Sequence, residues 1–196
     1  GYAASILVTF LIAPFTIHTL GDARYGAWSL VGELVGYYGL LDLGIRGAVT
    51  YYVARHTSKD EHAYTKETIG TAFWILAISG VIVFVAGVVF VIIFPYVIKT
   101  SGLTNLTEVR AAFLIMSVLI AVSLPMSTFA AVLGGRQRFD LDTIAEVVTR
   151  IFTAIGVYVV LKAGHGLVAL ALVQCVTRIG YWALTVSFVR KVTGGV

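Results

Sequence analysis

The sequence predicts an all-α membrane protein that folds as a bundle of six transmembrane helices. Three observations predict this class. Hydrophobic residues make up 59% of the 196 residues and charged residues only 12%. The mean hydropathy is +0.94, and the apolar residues fall into six long runs with short polar connections. Because a soluble domain carries about 25% charged residues, a surface this poor in charge is suited to lipid rather than to water.

Each apolar run is long enough to cross a bilayer, because a helix needs about 20 apolar residues to span a hydrocarbon core of about 30 Å. We expect one transmembrane domain over residues 1–196, with helices at 1–20, 25–54, 68–98, 111–134, 141–161 and 167–189. The loops between them are too short to hold a folded domain. No basic segment precedes the first run, so we expect no secretory signal peptide and treat the chain as a fragment.

Lys and Arg are distributed unevenly between the two sets of helix ends, and cytoplasmic loops carry the excess of these residues. One set of ends holds seven of them: Arg55, Lys59, Lys66, Arg136, Arg138, Arg190 and Lys191. The other set holds four: Arg24, Lys99, Arg110 and Lys162. This excess predicts that both ends of the chain and the loops 56–67 and 135–140 face the cytoplasm.

Several classes of protein are excluded by the pattern. The pI of about 9.3 does not indicate nucleic-acid binding, because the basic residues lie at the ends of apolar runs and form no wettable stripe. The single cysteine, Cys175, lies inside an apolar run and forms no disulfide framework. No phosphate-binding loop, metal-ligand spacing or nucleophile motif is present. We therefore expect no enzyme, no metal site and no cofactor other than Na+ or H+ for coupling.

Arg178 is the most informative single residue, because it lies eleven residues from each end of the run 167–189. Its side chain would have to cover about 15 Å to reach either interface. No acid lies three or four residues away, and only Gln174 shares its helical face. We expect Arg178 to meet either the phosphate of a substrate, which guanidinium binds through paired hydrogen bonds, or an acid on another helix.

Four-residue spacings place further charges on common helical faces. Asp42 and Arg46 could form an ion pair that locks helix packing or could line a polar cavity. Glu33, on the same predicted helix, could face that cavity or an outer vestibule. Glu146 and Arg150 repeat the spacing near the start of the fifth run, where an interfacial ion pair is the favoured interpretation.

A specific resemblance begins at the second run. The stretch LGDARYGAWSL at 20–30, followed by GLLDLGIR at 39–46, resembles the polysaccharide-biosynthesis flippases, the Wzx-type exporters of O-antigen and exopolysaccharide in the MOP superfamily. The layout is similar too, with a long second helix, a short basic loop after the fourth, and closely spaced fifth and sixth helices.

This resemblance implies one lobe of a two-lobe transporter in the bacterial or archaeal inner membrane. Its substrate would be a polyprenyl-pyrophosphate-linked oligosaccharide, moved from the cytoplasmic to the outer leaflet by alternating access. Partners would be that lipid-linked oligosaccharide, membrane lipids and other polysaccharide assembly proteins. Cationic cavities in such proteins make Arg178, Arg46, Arg150 and the neighbouring Gln174 the candidate substrate-binding residues, with Asp42 and Glu33 as coupling or cavity acids.

Two alternatives remain open at this point. A MATE-like multidrug or cation exporter, coupled to Na+ or H+ through Asp42 or Glu33, would favour acids in its cavity, whereas Arg178 favours an anion. A membrane glycosyltransferase or polymerase would need a sizeable outer loop with catalytic side chains. The longest outer loop expected here, 99–110, carries Glu108 as its only acid, so an enzyme is disfavoured.

Overall fold

The computed structural model describes residues 16, 18–21, 24–30, 32–33, 44–58, 62–97 and 106–193. Within these ranges the chain forms five labelled helices and no β-strand. They are α1 (Ile45–Ser58), α2 (His62–Val97), α3 (Leu106–Gly135), α4 (Phe139–Lys162) and α5 (Leu167–Thr193). The segment 24–30 is also helical.

The structure is that of a helical membrane protein in the part of the chain it describes. Four helices are long and apolar enough to cross a bilayer, over Tyr64–Phe94, Leu106–Gly135, Phe139–Lys162 and Leu167–Val192. They occupy the positions of the third to sixth predicted runs. Most of the first run, 1–20, and residues 34–43 of the second lie outside the described residues.

The predicted continuous helix over 25–54 is interrupted at Gly44. This residue has a φ of +75°, which right-handed helices exclude and which glycine adopts without steric cost. A new helix, α1, begins at the next residue, Ile45. The predicted pairing of Asp42 with Arg46 assumed one helical register through Gly44, which this break interrupts. Asp42 itself lies outside the described residues, so that pairing stays a prediction.

The helix α3 is the centre of the bundle and contacts each of the other four labelled helices. Near the Val97 end of α2, the rings of Phe90, Phe94 and Phe113 pack with their centroids 5.3 to 5.9 Å apart. Offset and edge-on ring packing of this kind contributes beyond the burial of the rings alone. This cluster joins α2 to α3 in the half of the bundle farthest from the α3–α4 turn.

Small residues allow α2 and α3 to approach closely. A side chain at Gly80 would collide with the carbonyl oxygen of Ala121, and one at Gly87 would collide with the hydroxyl of Ser117. Pro125 lies four residues after Ala121 inside α3 and has no N–H to donate to that carbonyl. Gly80 thus packs against a carbonyl that lacks its helical hydrogen bond, a contact that only a residue without Cβ allows.

The two ends of the bundle are closed by different contacts. At the α3–α4 end, Gly135 packs on Val53 of α1, where an added Cβ would lie 2.7 Å from the Val53 Cβ. At the opposite end, the Leu167 N–H at the start of α5 donates to Glu108 Oε1 over 2.6 Å. These contacts fix α1 and α5 against α3, and the charged side chains described next project from α1, α4 and α5.

Candidate functional site

Arg178 projects from the inner side of α5. The residues seven positions before and after it, Ala171 and Thr185, are 0% and 1% exposed, and seven residues are almost two helical turns. All three side chains therefore leave α5 in nearly the same direction, yet Arg178 is exposed. The helix must border an open space at this level. Arg178 faces that space and not the side where Val176 and Ile179 are 69% and 59% exposed.

The first half of α4 lies beside this part of α5, because the Tyr181 hydroxyl of α5 bonds to Asp142 of α4, and it forms the neighbouring wall of the space. Asp142, Glu146 and Arg150 follow one another at four-residue steps and so share a helical face. Arg150 is exposed, whereas Val157 and Leu161, which leave α4 in similar directions farther along, are 9% and 1% exposed. The open space, which we call the cleft, therefore lies in the half of the bundle near the α3–α4 turn.

One carboxylate joins the three helices that border the cleft. The Tyr181 hydroxyl of α5 donates to Asp142 Oδ1 over 2.7 Å, and a guanidinium nitrogen of Arg46 on α1 lies 3.5 Å from Asp142 Oδ2. The Arg178 Cζ atom lies 5.6 Å from the centroid of the Tyr181 ring, within the range of a cation–π contact. Arg46 and Arg178 are thereby connected through Asp142 and Tyr181.

Among the residues that the structure describes, the cleft holds more guanidinium groups than carboxylates. Its guanidinium groups belong to Arg46, Arg150 and Arg178, and its carboxylates to Asp142 and Glu146. Arg150 is paired with Glu146 at 2.6 Å, and Asp142 approaches Arg46. Among the described residues, no carboxylate lies within 4.0 Å of the Arg178 guanidinium. An arginine deep in a membrane bundle without a counter-ion is costly, so this arrangement is suited to binding an anion.

The comparison with known protein families identifies the chain. The model of the family described as "Polysaccharide biosynthesis protein" matches residues 1–193. The chain belongs to the polysaccharide biosynthesis protein family. The resemblance found in residues 20–46 is thus confirmed.

A curated relative of this polysaccharide biosynthesis protein comes from Shigella flexneri, and its name marks it as a proposed O-antigen transporter. The two are 24% identical over 155 residues, which are 76% of this chain and 35% of the relative. The chain therefore spans about a third of that relative's length. No solved structure matches.

The other candidate residues of this family member occupy different places. Gln174 is half-buried one turn before Arg178, on the face that borders the cleft. Glu33 is helical and exposed. The described residues hold no group of three or more His, Cys, Asp or Glu side chains that could bind a metal ion.

Two residues of the cleft, Asp142 and Tyr181, were not predicted from the sequence. Asp142 lies close to the polar turn that precedes α4, where an acid is unremarkable. Its spacing of four residues from Glu146, which is itself four residues from Arg150, is the signal that could have identified Asp142. Tyr181 carries no charge. Only its 2.7 Å hydrogen bond to Asp142 shows that this residue, three positions after Arg178, belongs to the cleft.

A further ion pair lies at the α3–α4 turn, outside the cleft. Arg138 donates to both carboxylate oxygens of Asp140, over 3.1 and 3.2 Å. These hydrogen bonds raise the pKa of Arg138 above its ordinary value. Asp140 and Asp142 are two residues apart, but only Asp142 faces the cleft. Asp140 is therefore a matched control for experiments on Asp142.

Proposed function

We propose that this chain forms part of a flippase that moves a polyprenyl-pyrophosphate-linked oligosaccharide from the cytoplasmic to the outer leaflet of a bacterial or archaeal plasma membrane. Membership of the polysaccharide biosynthesis protein family supports the pathway. The name of the Shigella flexneri relative, which refers to O-antigen transport, supports the substrate class. The observation that carries the proposal is Arg178, which is exposed in an inward-facing cleft without a carboxylate among its described neighbours.

The chemistry of the cargo explains why such an arginine is needed. A pyrophosphate does not cross hydrocarbon unaided, because a charge at the bilayer centre costs several kcal/mol or more. Guanidinium groups replace the hydration shell of phosphate oxygens through paired, charge-assisted hydrogen bonds. The polyprenyl tail stays in the lipid while the headgroup passes through the cleft. No covalent bond is made or broken, so the function requires binding and a change of access only.

The direction of loading follows from the position of the cleft. It lies near the α3–α4 turn, in the half of the bundle whose helix ends carry the larger number of Lys and Arg residues. We propose that this half faces the cytoplasm, where the lipid-linked oligosaccharide would enter. Release to the outer leaflet then requires an alternating-access movement against a second lobe. Among the described side chains of the cleft, guanidinium groups exceed carboxylates, which is the wrong polarity for a cavity that selects cations.

Replacement of Arg178 tests the proposal in cells. Arg178→Ala in the complete gene, expressed in a source strain that lacks its own copy, is expected to lower surface polysaccharide at least about tenfold, because a charge-assisted phosphate contact is worth about 1.5–3 kcal/mol. Arg178→Lys is expected to retain part of the activity. Arg190→Ala, in the last turn of the same helix, is the matched control and is expected to behave as the unaltered protein.

Membrane levels of each variant are measured by immunoblot, so that a loss of polysaccharide is compared at equal protein. Full complementation by Arg178→Ala at normal membrane levels would exclude Arg178 from the transport site and remove the main support for an anionic cargo.

A further inference from the structure

We infer that Tyr181 is a positioning residue of the cleft: its ring holds the Arg178 guanidinium in place for the phosphates of the cargo, and its hydroxyl anchors that ring to α4 through Asp142. The identity of the cargo rests on the proposed function, whereas the positioning of Arg178 concerns any pyrophosphate group that enters the cleft. Tyr181 acts on the anion only through Arg178.

The contact between Tyr181 and Arg178 follows from their spacing on α5. Side chains three residues apart are neighbours on a helix surface, and each leans toward the helix N-terminus. The Tyr181 ring therefore leans over the turn that carries Arg178, and the Arg178 Cζ atom lies 5.6 Å from the ring centroid. The electron-rich face of an aromatic ring attracts a guanidinium group at this distance. The ring thus offsets part of the cost of an arginine within the membrane.

The Tyr181 ring is itself fixed by a second helix. Its hydroxyl donates to Asp142 Oδ1 of α4 over 2.7 Å, and the Asp142 side chain is only 20% exposed. A hydrogen bond to an ionised acceptor is stronger than one between neutral groups. The ring is therefore held at both ends, by its own backbone on α5 and by the carboxylate on α4. Its orientation, and with it the position of Arg178, is set by the packing of α4 against α5.

A ring holds Arg178 in a different way from a carboxylate. A carboxylate would accept the N–H groups of the guanidinium and neutralise its charge, so that a phosphate would have to displace it. The face of the Tyr181 ring attracts the cation but brings no anionic oxygen to it. Within the part of the chain that the structure describes, no group accepts a hydrogen bond from the Arg178 guanidinium. The ring can therefore hold Arg178 while the N–H groups bind an anion.

Positioning of this kind has a defined consequence for binding. A long arginine side chain loses conformational freedom when it binds an anion. An arginine that is already held in the bound position loses less, which raises the affinity. Removing the attraction of the Tyr181 ring should therefore weaken pyrophosphate binding, although no group that touches the anion is removed. A ring that only filled space would be replaced without loss by another ring of the same size.

Calorimetric titration of the purified full-length protein with inorganic pyrophosphate tests this inference at nearly constant ring shape. Tyr181→Phe is the reference, and phenylalanines that carry two or three fluorine atoms on the ring then replace it in turn. Fluorine withdraws electron density from the ring face and changes the ring volume little. The affinity is expected to fall at each step, by about 3- to 10-fold in total. Equal affinity across the series would overturn the inference.

A double-mutant cycle locates the action of Tyr181 at Arg178. Tyr181→Leu is expected to weaken pyrophosphate binding about 3- to 10-fold, but less than about twofold in an Arg178→Ala background. Tyr158→Leu is the matched control, because it removes a ring that lies 6.0 Å from the Lys162 Nζ atom, outside the cleft. This control is expected to bind as the unaltered protein does. A full effect of Tyr181→Leu in the Arg178→Ala background would show that Tyr181 acts on the whole cleft and would overturn the inference.

Replacement of Asp142 tests the anchor of the ring. Asp142→Asn keeps an acceptor for the Tyr181 hydroxyl and Asp142→Ala removes it, whereas both remove the charge beside Arg46. Asp142→Ala is expected to bind pyrophosphate about 2- to 5-fold more weakly than Asp142→Asn. The same two replacements at Asp140, which pairs with Arg138 outside the cleft, are expected to bind alike. Equal affinity of the two Asp142 variants would overturn the anchoring role.

The outcomes separate this inference from the proposed function. Ring-dependent pyrophosphate binding, together with full complementation by Arg178→Ala, would reject the proposed function and leave Tyr181 as the positioning residue of a pyrophosphate site. Binding that does not respond to ring fluorination would overturn the inference and leave the proposed function to the complementation test. A complete lack of pyrophosphate binding by the unaltered protein would overturn the inference and the anionic cleft together.

Discussion

Glu108 stabilises two helices with one carboxylate. It lies in the first turn of α3, where the partial positive charge of a helix N-terminus favours an acid. Its Oε1 atom accepts the Leu167 N–H at the start of α5, one of the four N–H groups that a helix leaves without an internal partner. The Arg24 guanidinium lies 3.7 Å from its other oxygen. This single side chain therefore closes the end of the bundle opposite the cleft.

Removal of the Glu108 carboxylate should lower stability. Glu108→Ala is expected to reduce the free energy of unfolding by about 1–2 kcal/mol, the usual cost of losing a helix cap. Glu108→Gln keeps an acceptor for the Leu167 N–H and should cost less than half as much. Equilibrium unfolding in mixed micelles, followed by tryptophan fluorescence, measures both. Equal losses for the two variants would show that the charge, and not the cap, supplies the stability.

The side chains of the cleft show what a sequence can and cannot predict about single residues. Arg178 stood out because no acid lies within one turn of it on a long apolar run, and its contact with a phosphate stays a prediction. Asp142 did not stand out, because its role depends on contacts with Arg46 and Tyr181, which are 96 and 39 residues away. Contacts at such separations are set by helix packing, which local spacing does not reveal.

At the scale of elements, the contact between α2 and α3 depends on glycine in a way that can be measured. The chain offers a matched pair within α2. An added Cβ at Gly80 meets the backbone of Ala121, whereas an added Cβ at Gly70 meets nothing within 4 Å. The first glycine is therefore required by packing, and the second only weakens its helix.

Alanine substitutions at these two glycines should have opposite effects. Gly80→Ala is expected to destabilise the protein by about 1–3 kcal/mol, because two helix backbones must move apart. Gly70→Ala is expected to be neutral or to stabilise by up to about 1 kcal/mol through helix propensity. Unfolding in mixed micelles compares the two directly. A Gly80→Ala variant as stable as the unaltered protein would mean that α2 and α3 do not approach as closely as described.

The helix boundaries show which structural features the apolar runs in the sequence do not predict. The runs locate α2 to α5 because each spans a bilayer's thickness of apolar residues. They place the start of α2 too late, because its first turns, from His62 to Glu67, are polar and carry no apolar signal. They also conceal the interruption at Gly44, because glycine occurs both inside membrane helices and at helix breaks, and only its φ of +75° distinguishes the two.

At the scale of the whole molecule, the described helices form a bundle that contacts hold together at both ends, with the cleft near the α3–α4 turn. The apolar surface that faces outward, including Trp74, Ile78 and Ile82 at 62–69% exposure, is suited to lipid contact. Arg46, Arg150 and Arg178 instead border the cleft near the α3–α4 turn. Glu108 and Leu167 close the opposite end. Under the proposed function, the cleft is where the anionic headgroup would enter.

The central claim, that Arg178 borders water and not lipid, is tested most directly by cysteine labelling. The full-length protein is prepared with Cys175→Ser and either Arg178→Cys or Ile179→Cys, two neighbours at the same depth. Inside-out vesicles are then treated with a charged, membrane-impermeant methanethiosulfonate. We predict rapid labelling at 178 and little at 179, because a thiol in hydrocarbon neither ionises nor meets the reagent. Labelling at 179 but not at 178 would place the arginine against lipid and contradict the account.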